Sequence, residues 1–216
     1  MDFAIAGRSE SPVAVLVDDD RSVREALGDL LNSVGVDTLS FASSGELLSA
    51  DLPDQPGCLV LDIRMPGLSG LDLQQHLANN GIETPIVFLT GHGDIAMSVQ
   101  AMKAGAVDFL TKPVRDQSFL DAVSRAIEAD IGRRAAAKER QKNVELHDAL
   151  TPRERQVLRS VVKGLLNKQI AFELGISEVT VKLHRSSMMR KMNASSAAQL
   201  FGVWQSLPAT IKASEN

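Results

Sequence analysis

The chain has 216 residues, which suits one large domain or two small ones. Apolar residues make up 44% and charged residues 23%, near the globular average, so wholesale disorder is excluded; a single cysteine, Cys58, excludes an internal disulfide and a cysteine-based zinc site. The formal charge of −4 is unevenly spread: residues 1–116 hold 7 Lys+Arg against 17 Asp+Glu, residues 117–150 hold 6 against 6, and residues 151–216 hold 10 against 4. An acidic front and a basic tail predict two domains with different partners, the tail being suited to the phosphate backbone of nucleic acid. No apolar run reaches the length of a membrane span, and the first residues lack the basic-then-apolar pattern of a secretory signal. The expectation is a soluble cytoplasmic protein without membrane attachment.

From residue 12 to 116 the sequence alternates between strand and helix patterns. Short runs apolar on both faces occur at 13–17, 58–61, 86–89 and 107–110, with a weaker one at 36–41. Such runs suit a parallel sheet covered on both sides. Between them lie helical patterns at 21–34, where Val23, Leu27, Leu30, Leu31 and Val34 share a face, and at 71–77 and 95–104, with a weaker one at 43–50. Five strands alternating with helices predict a doubly wound α/β domain, whose ligands bind beyond the C-terminal strand ends.

Carboxylates cluster at those ends. The first strand runs into Asp18, Asp19 and Asp20; the third runs into Asp62; the fourth ends at Thr90 and the fifth at Lys112-Pro113. Adjacent central strands would bring Asp18 and Asp19 close to Asp62, and acids so packed repel unless a hard cation neutralises them. Mg2+ fits because it prefers oxygen ligands. A carboxylate can also attack phosphorus to give an aspartyl phosphate, whose charge a metal, a lysine and a threonine hydroxyl can disperse. Asp20 and Asp94 read more simply as helix caps, Met65-Pro66-Gly67 as a turn, and Phe109, judged singly, as a core residue.

Residues 12–116 resemble the receiver domain of two-component response regulators, through VLVDDD (15–20), LDIRMPGLSG (61–70), FLTGHGD (88–94) and KAGAVDFLTKP (103–113). The resemblance implies a flavodoxin-like five-stranded parallel sheet with Asp62 as phosphoacceptor. It implies Mg2+ held by Asp18, Asp19, Asp62 and the backbone carbonyl of Arg64. Thr90 and Lys112 would hold phosphoryl oxygens, Phe109 would change rotamer with Thr90, and Lys112-Pro113 would be cis.

Residues 117–147 predict the last helix of that domain followed by a helical linker. Phe119, Leu120, Val123, Ile127 and Ile131 recur at helical spacing, and the following RRAAAKERQK is rich in helix formers but poor in large apolar residues. The heptads of a coiled coil are missing, which favours a semi-rigid linker over an independent dimer stem.

Residues 148–212 predict a small all-α domain of four helices. Thr151, Pro152 and Glu154 form a helix start with a capping box. A helix at 167–174 ends at Gly175, Ser177 caps the next, and a fourth spans about 196–207. Two short helices joined by a tight turn form a helix-turn-helix, whose second helix can enter the major groove. The stretches LTPRERQVL (150–158) and NKQIAFELGISEVTVKLHRSSMMRKM (167–192) resemble the LuxR-type output domain of the NarL/FixJ class. Helix geometry turns Val181 inward and leaves Thr180, Lys182, His184, Arg185 and Ser186 for DNA. The resemblance adds Leu183 and places Lys182 and Leu183 in the groove. Lys168 is a phosphate candidate, and Trp204 a core or dimer-interface anchor.

Together these readings imply a response regulator rather than an enzyme. A sensor histidine kinase would phosphorylate Asp62, and the face of the fourth helix and fifth strand would form a homodimer. The dimer would bind double-stranded promoter DNA and act with RNA polymerase. Two rivals remain. An aspartyl-phosphate phosphatase usually carries its nucleophile in a D-x-D pattern after the first strand, whereas here the isolated acid follows the third. A tail that binds RNA or protein is disfavoured by the absence of tyrosine and the shortage of aromatics for base stacking.

Overall fold

The computed structural model describes residues 11–91 and 95–214; the cap expected of Asp94 lies outside them. The chain divides into two compact units at Arg134/Ala135.

In the first unit, strands β1 (Val13–Val17), β2 (Asp37–Phe41), β3 (Gly57–Asp62), β4 (Ile86–Thr90) and β5 (Asp108–Thr111) alternate with helices α1 (Arg21–Ser33), α2 (Ser44–Leu48), α3 (Gly70–Asn79) and α4 (Ile95–Lys103), followed by α5 (Asp116–Asp148). The five strands form one sheet in the order β2-β1-β3-β4-β5, every pair parallel. The strand order reverses between β1 and β3, so a crevice opens where both run out, at Asp18 and Asp62.

Sheet residues alternate between two cores. On one face Ala14, Leu16, Cys58, Val60, Val87 and Leu89 pack with Leu31 of α1 and with Phe119, Val123 and Ile127 of α5. On the other, Val15, Val17, Leu59, Leu61 and Phe88 pack with Leu47 of α2, Leu73 and Leu77 of α3, and Ala101 of α4. Burial on both faces is why these strands read as continuous apolar runs.

The weakest predicted strand starts one residue late. The Val36 N–H closes α1 by donating to the Leu31 carbonyl at 3.1 Å, with Gly35 at φ 79° in the turn. Asp20 caps α1 by accepting from Ser22 N–H at 2.8 Å and Val23 N–H at 3.4 Å.

Helix α5 is continuous over 33 residues. Its first half is tied to the sheet by Asp130, a fully buried carboxylate. Asp130 accepts from Gly57 N–H at 3.1 Å and pairs with Arg133 at 2.6 Å and Arg134 at 2.7 Å. Residues 135–142 are exposed all round, and helix propensity holds them with help from pairs along the helix such as Lys142–Glu139 at 3.8 Å.

In the second unit, the last turns of α5 bury Asn143 and His147. The helices α6 (Pro152–Val162), α7 (Asn167–Leu174), α8 (Glu178–Lys191) and α9 (Ala197–Ser206) follow, and after Pro208 a short α10 (Ala209–Ser214) that the sequence pattern does not announce. Their core is Val157, Leu158, Ile170, Val181, Met188, Met192 and Leu200, with Trp204 packed against it. Thr151 and Glu154 make both halves of the capping box, Gly175 ends α7 at φ 63°, and Ser177 caps α8 through Thr180 N–H at 3.1 Å. Leu166 supplies no acceptor at the start of α7; the Gln169 side chain compensates by accepting the Leu166 N–H at 2.7 Å. Among the described residues no helix is long and apolar enough to cross a membrane.

Candidate functional site

The ends of β1, β3, β4 and β5 converge on a small acidic pocket. Asp18, Asp19 and Asp62 each present a carboxylate oxygen, and the three oxygens lie within 4.8 Å of one another. Asp18 and Asp62 are buried while Asp19 is exposed, so the cluster opens to solvent on one side. All three donors are carboxylate oxygens, the chemistry that suits a hard divalent cation. Lys112 reaches into the cluster: its ammonium donates to Asp18 and, at 3.3 Å, to Asp62.

Burial pushes the Asp62 carboxyl above the usual carboxylate range and Asp18 adds to this, while the Lys112 charge and the Arg64 N–H, at 3.3 Å, oppose it. Burial works against the Lys112 ammonium, yet its bonds to Asp18 and Asp62 outweigh that cost and hold its pKa above the ordinary lysine value.

The backbone is shaped to bring these groups together. Asp18 is pinned by its Oδ1, which accepts from Asp20 N–H at 3.0 Å, and by its carbonyl, which accepts from Arg24 at 2.6 Å. Lys112 is anchored by its own N–H, which donates to the Thr90 carbonyl at 2.8 Å, and the Lys112-Pro113 peptide is cis. Thr90 is fully buried at the end of β4. Phe88 pairs with Phe109 and Thr90 with Thr111, so strand alternation puts Thr90 and Phe109 on the same side of the sheet. Phe109 is half-buried and packs against the core that contains Ala101 and Ala106. Sequence reasoning missed Gly70: a Cβ there would lie 2.3 Å from the Asp62 carbonyl oxygen, so only glycine lets α3 start this close to the strand. A glycine immediately before the helix predicted at 71–77 was the available signal.

In the second unit, burial of Val181, Met188 and Met192 fixes the rotation of α8. Its outward face carries Glu178, Val179, Lys182, Leu183, Ser186 and Arg190, all exposed. The sequence-derived set splits. Lys182, Leu183 and Ser186 lie on this face, while Thr180, His184 and Arg185 are half-buried on its flanks. The Arg185 guanidinium donates to Asn167 Oδ1 at 3.0 Å and ties α8 to α7, on which Lys168 is exposed. Val179 and Arg190 were not singled out from the sequence.

A doubly wound sheet with an acidic crevice at its switch point, a lysine on the last strand end and a separate helix-turn-helix unit defines a phosphoacceptor-type regulator. The chain belongs to the response regulator family with a LuxR-type output domain: the response regulator receiver domain matches residues 14–124, and the bacterial regulatory proteins of the luxR family match residues 148–203. It is 49% identical to nodulation protein W of Bradyrhizobium diazoefficiens, over 92% of this chain and 88% of that protein. It is 44% identical to the response regulator protein TodT of Pseudomonas putida, over 93% and 88% of the two chains. Among solved structures, the response regulator StyR superposes with a TM-score of 0.80 at 47% identity, covering 91% of this chain and 99% of that one. This is a DNA-binding response regulator that controls transcription under phosphorylation, and the pairing of its two domains implies a kinase partner.

Proposed function

We propose that Asp62 is the phosphoacceptor of this regulator and that residues 12–116 form the receiver, 117–147 its last helix and linker, and 148–212 the DNA-binding domain. One observation carries the reading of the pocket: three carboxylates, Lys112 and Thr90 meet where four strands end. Mg2+ is the cofactor the donor set suits, held by Asp18, Asp19, Asp62 and the Arg64 carbonyl, and it supplies neutralising charge.

An Asp62 oxygen attacks the phosphorus of a phosphohistidine on a sensor histidine kinase. The phosphorus–nitrogen bond breaks and its electron pair leaves with the imidazole. Lys112 turns from Asp18 to a phosphoryl oxygen and the Thr90 hydroxyl bonds another, so the new charge is met by groups already in place. Phe109, on the same side of the sheet as Thr90, is the side chain positioned to follow that movement.

Exposed Ile95, Val99 and Met102 make α4 an apolar surface suited to the homodimer. The dimer places two recognition helices on paired half-sites of promoter DNA, with Lys182, Leu183 and Ser186 in the groove and Thr180, His184 and Arg185 at its edges. Lys168 takes phosphate. RNA polymerase is the downstream partner, and the compartment is the cytoplasm.

Intact-protein mass spectrometry tests the core of this. With acetyl phosphate and magnesium the chain gains one phosphoryl group, and Asp62→Asn does not. A gain that persists in the variant places the acceptor elsewhere.

A further inference from the structure

Helix α8 turns six residues to solvent, Glu178, Val179, Lys182, Leu183, Ser186 and Arg190, and two of them are large and apolar: Val179 and Leu183, each 67% exposed. Neither side chain is explained by folding. Both stand outside the core of Val181, Met188 and Met192. An exposed β-branched valine also lowers the helix propensity of the segment. Spaced four apart, they form one short apolar stripe. Exposed Lys182, between them in sequence, and exposed Arg190, further along the same face, set two positive charges beside it against the single negative charge of Glu178 in the first turn. The surface that matches such a face has anionic walls and small apolar projections on its floor. The major groove of duplex DNA has both: phosphates on either side, and the 5-methyl group of thymine as its apolar feature.

We propose that Val179 and Leu183 each contact a thymine 5-methyl group, so that part of the operator sequence is read by apolar contact rather than by hydrogen bonds. This rests on the reading of α8 as the helix that enters the groove. Four residues of helix advance about 6 Å and one base-pair step about 3.4 Å. The two methyl groups therefore lie about two steps apart in each half-site. Lys182 grips phosphate or a guanine edge beside them, and neither contact replaces the other.

The test uses the full chain, treated with acetyl phosphate and magnesium, to enrich duplexes from a randomised pool. Each thymine of the enriched site is then replaced singly by deoxyuridine, which removes only the methyl group. Two positions per half-site, about two steps apart, are expected to lose roughly fourfold in affinity each, the value of one buried methyl. Val179→Ala abolishes the difference at one position and Leu183→Ala at the other, with the salt dependence of binding unchanged. Both side chains are exposed, so the variants fold. Deoxyuridine tolerated everywhere within about twofold overturns the proposal and is the result an apolar protein partner on this face would give; sensitivity that survives in the double variant overturns it as well. Failure to enrich any duplex removes the DNA reading of α8 itself, whereas enrichment without methyl sensitivity removes only this inference.

Discussion

Asp62 and Lys112 set each other's charge. Burial holds the Asp62 carboxyl above the usual range and Lys112 pulls it back. The neutral acid therefore persists to a higher pH than for an exposed aspartate, and the carboxylate is lost earlier on acidification. Followed by NMR in the metal-free chain, the Asp62 carboxyl should titrate above the range of an exposed aspartate. In Lys112→Ala the midpoint should move to still higher pH; a midpoint that stays put or falls would show that Lys112 does not govern the acceptor. Glu154 is the opposite case. Burial works against its charge, but bonds from Lys191 at 2.7 Å, Ser187 and Thr151 hold its pKa down to about 2 from 4.5. Its contribution to stability is complete above the unfolded value of 4.5 and disappears as pH falls toward about 2. The fluorescence of Trp204, the only tryptophan, reports this unit. Wild type should unfold at a higher temperature than Glu154→Gln at neutral pH, and the difference should vanish near the lower limit. A pH-independent difference would mean the ion pair is irrelevant. The acids at the strand ends were legible in the sequence because they interrupt apolar runs. The Asn167–Arg185 bond was not, since the partners are 18 residues apart and meet only across the turn.

At the scale of elements, most boundaries follow from local chemistry. Asp20, Ser43, Ser69, Thr151, Ser177 and Ser196 each cap the helix that follows. The short α10 escaped because six residues carry too little periodicity. Helix α1 also borders an open groove beside the acidic pocket. Val23, Ala26, Leu27 and Leu30, with Pro113 and Val114, line an apolar groove of about 650 Å³ that reaches Lys112. A phosphohistidine carried on another protein must approach Asp62 over neighbouring surface, and this groove is the apolar ground beside it. Ala26→Arg should slow phosphotransfer from the sensor kinase at least tenfold, a loss of about 1.4 kcal/mol or more, and leave modification by acetyl phosphate intact. Equal loss with both donors would mean the substitution damages the pocket rather than docking.

At the scale of the molecule, charge is segregated: the acidic receiver carries the proposed phosphoacceptor and the basic unit carries the outward face of α8. Affinity for duplex DNA should therefore fall steeply with salt, and Lys182→Ala should cost about 1–3 kcal/mol of specific binding without altering phosphorylation. Unchanged operator affinity in that variant would displace the recognition face from α8. Continuity of α5 through the exposed residues 135–142 follows from their helix-forming composition.

The sequence by itself determined the alternation of strands and helices, the acidic and basic halves, and the residue types at the strand ends. Each of these is written in local pattern: period 2 or 3.6, a cap, a charge count. Only the tertiary structure decided which carboxylates share a pocket with Lys112, why Gly70 must lack a side chain, and which side of α8 faces out. Those depend on strand order and helix rotation, which are set by long-range packing around Asp62 and Val181 rather than by any neighbouring residue.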